Sequence, residues 1–211
     1  FFTKEKLVDI VRVAVHFKDV KKIKPFLDYF KKHQIFTCLN LMQINTLKES
    51  ELRNCLKLIQ KWKNVNVFYF ADSFGNLKPL DIKKICNTIS KNWSKEFGLH
   101  SHDNCGLALK NCIQAFRSGA TWIDGTVQGM GRGAGNVTTE DLLNYFSSSK
   151  YKQGPLQSIS KNYFLNLKKR YNWGKSNYYK IAAKHNIHPT YIQELQKDNR
   201  YSKAEIINSI N

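Results

Sequence analysis

The densest group of residues able to do chemistry is Phe97-Gly98-Leu99-His100-Ser101-His102-Asp103-Asn104. Side chains alternate along a strand, so a strand here puts His100 and His102 on the same side. Two imidazoles on one side can hold a single divalent cation, each ring nitrogen about 2 Å from it. Taken alone, a His-x-His pair is equally compatible with polar surface or with hydrogen-bonded core histidines. A second group follows: Ile123-Asp124-Gly125-Thr126 runs into Gly129-Met130-Gly131-Arg132-Gly133-Ala134-Gly135-Asn136. Glycines this dense are costly in a strand or helix because of their backbone entropy. They make sense where the backbone turns sharply and passes close to a ligand, and the plain alternative is a flexible surface loop. A Walker-type phosphate loop is excluded, since no Lys-Ser/Thr pair follows.

The elements that must position these groups follow a regular order. Val11 to Val15 is rich in β-branched residues and reads as a strand. Val20 to Lys32 has helical spacing, with Ile23, Phe26, Leu27 and Phe30 on one face. Strands are then predicted at 37–42, 65–71, 97–100 and 120–127, and helices at 48–62, 79–93 and 107–118. Alternation of strand and helix with short connections means parallel strands joined by right-handed crossovers. The spacing fits an open sheet and a barrel equally well. In a barrel, the ends of the strands face the mouth where active sites of that fold lie.

After Asn144 the texture changes. Ser147-Ser148-Ser149-Lys150 is a polar break, and Gly154-Pro155 adds a turn signal. Helical pattern alone follows, at 159–171, 176–185, 189–196 and from Lys203, with Ser202 placed to cap the last helix. The expected organisation is therefore a β/α domain over 1–146 and a small all-α domain over 147–211.

The 211 residues are 42% hydrophobic and 13% aromatic, enough for a packed core. No apolar run approaches the ~20 residues that span a bilayer. The formal charge of +18 invites a nucleic-acid partner. However, lysines such as Lys21-Lys22, Lys31-Lys32 and Lys83-Lys84 are spread over the helices instead of forming a stripe, so we expect a solvated surface. Five cysteines without a CxxC pair point to buried free thiols and a reducing cytoplasm. The start, Phe1-Phe2-Thr3-Lys4-Glu5-Lys6, has no initiator Met and no secretory-signal pattern, and it reads like the middle of a helix. The expectation is a fragment of a longer chain.

Together, GLHSHDN and WIDGTVQGMGRGAGN, separated by a helix, resemble the last two barrel units of the HMG-CoA-lyase-like superfamily of metal-dependent aldolases. Within it the pattern is most similar to the 4-hydroxy-2-oxovalerate aldolases. The resemblance also takes in Arg12-Val13-Ala14-Val15-His16 and Ala71-Asp72-Ser73-Phe74-Gly75, and so spans about residues 8–146. It implies the C-terminal part of a TIM (β/α)8 barrel. It implies His100 and His102 as ligands of a divalent metal, with Asn136 a third ligand or near neighbour. Mn²⁺ or Mg²⁺ suits such a site best, with Zn²⁺ possible. The activity implied is carbon–carbon bond cleavage or formation next to a 2-oxo acid such as pyruvate, through a metal-stabilised enolate.

The resemblance places Arg12, Ser73 and Arg132 as candidates for substrate binding, an Arg being suited to a bidentate carboxylate pair. It places His16, Asp72 and Tyr178 as the main catalytic candidates. For the charged members, an internal ion pair is an equally good reading, and Asp72 also suits a partner of a ligating imidazole. His188, beside Pro189, reads as a turn residue. In the related aldolases the C-terminal helices pack on the barrel mouth and contact a dehydrogenase; a homo-oligomer is the other partner expected. Two departures stand out. Nothing matches the superfamily's first-strand Arg-Asp pair, which implies about three missing upstream β/α units. The glycine loop also lacks the cysteine of HMG-CoA lyases. Two alternatives stay open: an acyl-CoA-dependent condensing synthase of the isopropylmalate or homocitrate type, and a basic binding module for an acidic partner.

Overall fold

A computed structural model describes residues 8–147, 151–198 and 200–210. The expected helical start of the chain at 1–6 and the Ser148–Lys150 part of the polar break lie outside the described residues. Five strands form one sheet: β1 (Ile10–Val15), β2 (Phe36–Leu41), β3 (Val67–Asp72), β4 (Phe97–Ser101) and β5 (Trp122–Ile123). They are neighbours in chain order, and the registers described are all parallel, with Ile10 opposite Phe36, Cys38 opposite Val67 and Gly98 opposite Trp122. Between them run α1 (Lys24–Lys32), α2 (Glu49–Trp62), α3 (Pro79–Asn92) and α4 (Ala108–Arg117).

The order of the strands decides what their spacing left open. An open, doubly wound sheet reverses its strand order once, so that helices cover both faces. Here the order never reverses. Right-handed crossovers in one direction send every connecting helix to the same side, which is the winding of a barrel wall.

Two compact units make up the chain. The first runs up to Asp72 and adds Leu80–Leu99 and Gln114–Ile123. All six residues of β3 are buried, as a strand covered on both faces requires. On one face Cys38, Val67 and Tyr69 cluster, with Phe36 and Trp122 packed against them. Phe68 points the other way and meets Trp93, just beyond α3, at a ring separation of 6.3 Å. Gly98 lies where a Cβ would come within 2.7 Å of both Tyr69 and Trp122, so this crowded face admits no side chain there.

The second unit comprises Ser73–Pro79, His100–Ile113 and the chain from Asp124 onward. It holds α5 (Thr139–Phe146), α6 (Gln153–Ile159), α7 (Leu165–Tyr171), α8 (Asn177–Lys184), α9 (Pro189–Lys197) and α10 (Lys203–Ile210). Its core gathers Ala134, Tyr179, Ala182, Ile192, Ile206 and Ile210. Ser202 caps α10 as expected: its hydroxyl accepts from Glu205 N at 3.3 Å, and the Glu205 carboxylate accepts from Ser202 N at 2.7 Å.

Four local expectations change. The helix expected from Val20 opens as a 3₁₀ turn, Phe17–Ile23, and becomes α-helical only at Lys24, with Pro25 in the first turn where no N–H is needed. The strand expected over 120–127 pairs only at Trp122–Ile123. From there the chain bonds to its own downstream segment, Thr126 N donating to Val137 O and Thr139 N to Thr126 O. Helix α5 was not foreseen, although Thr138 caps it by accepting from Asp141 N at 2.9 Å. The helix expected at 159–171 starts at Gln153, because Gly154-Pro155 sits in the first turn of α6, and a π-helical turn, Ser160–Phe164, joins α6 to α7.

Candidate active site

Strand β4 delivers His100, and the chain just beyond it delivers His102. This segment stays straight because the glycine loop is hydrogen-bonded along it: Val137 N donates to Ser101 O at 3.3 Å, and Asp103 N donates to Gly135 O at 2.9 Å. His102 and Asn136 thus face each other in an antiparallel bridge. The rings of His100 and His102 do fall together, with centroids 4.8 Å apart and planes at 88°.

His100 Nδ1 lies 2.8 Å from a carboxylate oxygen of Asp124, and both side chains are about 20% exposed. An ionised carboxylate only accepts, so Nδ1 is the donor in this bond. That is how a carboxylate orients a ligating imidazole. Asn136 Nδ2 donates to Met130 O at 3.1 Å, while Asn136 Oδ1 is buried with no hydrogen-bond partner. An unmet buried oxygen costs about 1–3 kcal/mol, and such an atom calls for an explanation. Two imidazoles and an amide oxygen are donors of the type a divalent cation accepts. Among the described residues, no group of three or more His, Cys, Asp and Glu side chains is arranged to hold a metal ion. The set fits a cation as part of a coordination shell, with further donors still required.

The glycines permit this closeness at two points in particular. Gly135 has φ +84°, and a Cβ on it would overlap the carbonyl oxygen of Gly129. Gly133 has φ +63°, and a Cβ would come within 2.6 Å of Pro189. Asn104, buried at the end of the His-x-His segment, ties two loops together. Its Oδ1 accepts from Ala134 N at 3.2 Å and its Nδ2 donates to Phe74 O at 3.0 Å. Asp103 accepts from Ala108 N at the start of α4 and pairs with Lys175 at 3.0 Å. A cleft of about 650 Å³ is lined by Asn136, Gln128, Asp103, Lys168, Trp173 and Lys175 among others.

The remaining candidates are placed as follows. Ser73 is buried directly after β3. Arg132 is exposed within the glycine loop. Tyr178 is half-buried on α8, packed against the core that includes Ala134, and the neighbouring Tyr179 belongs to that core, its hydroxyl donating to Gln196 at 3.1 Å. Burial pushes the Tyr179 hydroxyl's pKa up. His188 caps α9, its Nδ1 accepting from Thr190 N at 3.3 Å. Arg12, His16 and Asp72 belong to the first unit. Arg12 is exposed on β1 with its guanidinium 4.8 Å from the Tyr69 ring centre, His16 precedes the 3₁₀ turn after β1, and Asp72 is fully buried at the end of β3.

Reading residue types did not single out Asp124 or Asn104 for these tasks. The signal for Asp124 was present: an acidic residue ends the strand that follows the His-x-His strand. Nothing in the sequence marked Gln128, a non-glycine residue at φ +52°.

Parallel β/α units wound in one direction, with His-x-His at a strand end and an asparagine-terminated glycine loop bridged to it, define a protein of β/α-barrel architecture. A sequence profile described as HMGL-like matches residues 7–161, and the chain belongs to that family. It is 31% identical over 145 residues to a 4-hydroxy-2-oxovalerate aldolase of Carboxydothermus hydrogenoformans, which covers 69% of this chain and 43% of the relative. The chain thus spans less than half the length of that relative. The N-terminal domain of an aldolase candidate from Bacteroides vulgatus superposes with a TM-score of 0.83 at 29% identity, covering 96% of this chain and 67% of that one. The HMG-CoA lyase of Bacillus subtilis, at 15% identity and a TM-score of 0.69, covers 90% of this chain and 68% of its own, and shares the fold. No helix among the described residues is long and apolar enough to cross a membrane.

Proposed function

We propose that this chain carries the His-x-His side of the active site of a divalent-cation-dependent lyase, an aldolase acting on a carbon–carbon bond next to a 2-oxo acid such as pyruvate. The observation that carries the proposal is Asn136: its buried, partnerless Oδ1 belongs to a residue bridged to His102, whose ring touches that of His100. Family membership and the aldolases among the relatives support the same reaction class.

When bound, the cation supplies a Lewis acid for the 2-oxo-acid oxygens. Mn²⁺ or Mg²⁺ suits the mixed nitrogen and oxygen donors, and Zn²⁺ is the alternative. His100, His102 and Asn136 would be the protein donors. Asp124, accepting from Nδ1, would leave Nε2 as the ring nitrogen to ligate the cation. Arg132, Ser73 and Arg12 are the candidates for holding the substrate carboxylate, and His16, Asp72 and Tyr178 for moving protons. A small-molecule 2-oxo acid is the partner proposed, with a second copy or a dehydrogenase as the protein partner, in a reducing cytoplasm that suits five cysteines in the thiol form. The segment 147–211 is proposed as a small helical domain built onto the barrel portion, 1–146.

The test is Mn²⁺ titration calorimetry on the full-length natural polypeptide, together with pyruvate release from 4-hydroxy-2-oxo acids. The expected result is binding and turnover in wild type, both lost in the His100→Ala/His102→Ala double variant. Binding without pyruvate release moves the reaction to an acyl-CoA condensation. No binding in wild type removes the catalytic reading.

A further inference from the structure

Gln128 stands in the left-handed region, φ +52° and ψ +23°, where a side chain is disfavoured. Its backbone N–H, its carbonyl and its side-chain amide nitrogen are all held. Its N–H and its side-chain amide both donate to Glu140, at 3.1 and 3.3 Å for the closest oxygens. The same amide donates to Ser160 Oγ at 2.6 Å. Its carbonyl accepts from Trp173 Nε1 at 3.0 Å and from Lys168 Nζ at 3.4 Å.

Three of those four partners come from the C-terminal helical segment. Ser160 is the buried first residue of the π-helical turn between α6 and α7, an irregularity often found where a helix serves a site. Lys168 is on α7. Trp173 follows it and is 6% exposed, so its indole N–H needs an internal acceptor and finds one in the glycine loop. A second tie follows at once, Gly174 N donating to Gly133 O at 3.1 Å.

The Gln128–Gly129 peptide is consequently gripped at both ends. Its oxygen is held by Trp173 and Lys168, and its N–H, that of Gly129, donates to Thr126 O at 3.0 Å. The next carbonyl along, that of Gly129, accepts from Asn136 N at 3.1 Å. A rotation of the gripped peptide would swing that carbonyl away and release Asn136 from its register with His102.

We propose that Trp173, with Ser160 and Lys168, forms a clamp through which the C-terminal helices set the conformation of Gln128–Gly129 and so hold Asn136 in place as a ligand. These are positioning residues, and the assignment of Asn136 rests on the reading given under Proposed function. The clamp also gives the helical segment a task at the site, that of holding the loop that carries Asn136.

The test uses Trp173→Phe, which keeps an aromatic ring and deletes the N–H, and Ser160→Ala, which deletes one acceptor, in the full-length protein. Mn²⁺ affinity is read by calorimetry, thermal midpoint without metal by circular dichroism, and amide exchange of Asn136 by NMR without metal. Each variant is expected to weaken Mn²⁺ binding about 3- to 10-fold, less than loss of a direct partner of a ligand. Each is expected to speed exchange at Asn136, with the midpoint moved by no more than about 2 °C. Unchanged affinity and unchanged exchange overturn the clamp. So does a loss of affinity that merely tracks a loss of stability. Should Trp173→Phe not fold, Ser160→Ala decides. If wild type binds no Mn²⁺, the metal reading fails, while faster Asn136 exchange in the variants still establishes that the helices hold the loop.

Discussion

Asp124 holds His100 through a 2.8 Å contact to Nδ1, across 24 residues of sequence, and the pair is largely shielded from water. The contact joins the ends of two neighbouring strands, β4 and β5. It converts a free imidazole into one with a defined proton and a defined direction.

Replacing Asp124 by Asn keeps the shape and removes the charged acceptor of the His100 Nδ1 hydrogen bond. Mn²⁺ affinity is expected to fall about 10-fold, and nearer 100-fold for Asp124→Ala. Calorimetric titration checks both, and equal affinity in the Ala variant would show that Asp124 does not orient a ligand.

Two glycines with positive φ separate backbone strain from collision. Gly135→Ala drives a methyl group into the Gly129 carbonyl and is expected to cost about 2–4 kcal/mol, because both the strain and the overlap must be relieved by moving the loop. Gly106→Ala, at φ +73°, meets nothing nearer than Lys175 Nζ at 3.9 Å and should cost only about 1 kcal/mol. Urea denaturation midpoints measure the difference, and similar losses would mean that crowding in the glycine loop does not matter.

Burial pushes the thiols of Cys55 and Cys86 up to about 12, against 9.0 for an ordinary thiol. Between those values the folded chain keeps two protons that the unfolded chain releases. Stability therefore falls as pH rises from about 9 toward 12, by up to roughly 1.4 kcal/mol per pH unit for each thiol, and is independent of these groups below that window. Cys86→Ala should flatten the dependence of the denaturation midpoint on pH between 9 and 11. An unchanged slope would show that the thiol is not shielded as the fold requires.

Strand β3 and helix α2 were legible because their information is local. Val67 to Asp72 is apolar nearly throughout, as a strand buried on both faces must be, and Leu52, Leu56 and Ile59 recur at helical spacing and are all buried. The His-x-His pair was legible for the same reason, since strand alternation alone puts the rings on one side. Strand β5 was misjudged because its apolar run continues past Ile123, while the hydrogen bonds that end it come from Val137 and Thr139.

The amino-acid order alone settled the alternation of strand and helix, the pairing of His100 with His102, the glycine loop, and the capped final helix, since each depends on neighbours a few residues apart. Only the folded chain decided that the sheet never reverses, that Asp124 grips His100, and that Trp173 reaches back 45 residues to Gln128. Those outcomes depend on which distant groups packing brings within hydrogen-bond reach. A buried carbonyl or N–H takes whatever partner the tertiary fold presents, and periodicity carries no record of that choice.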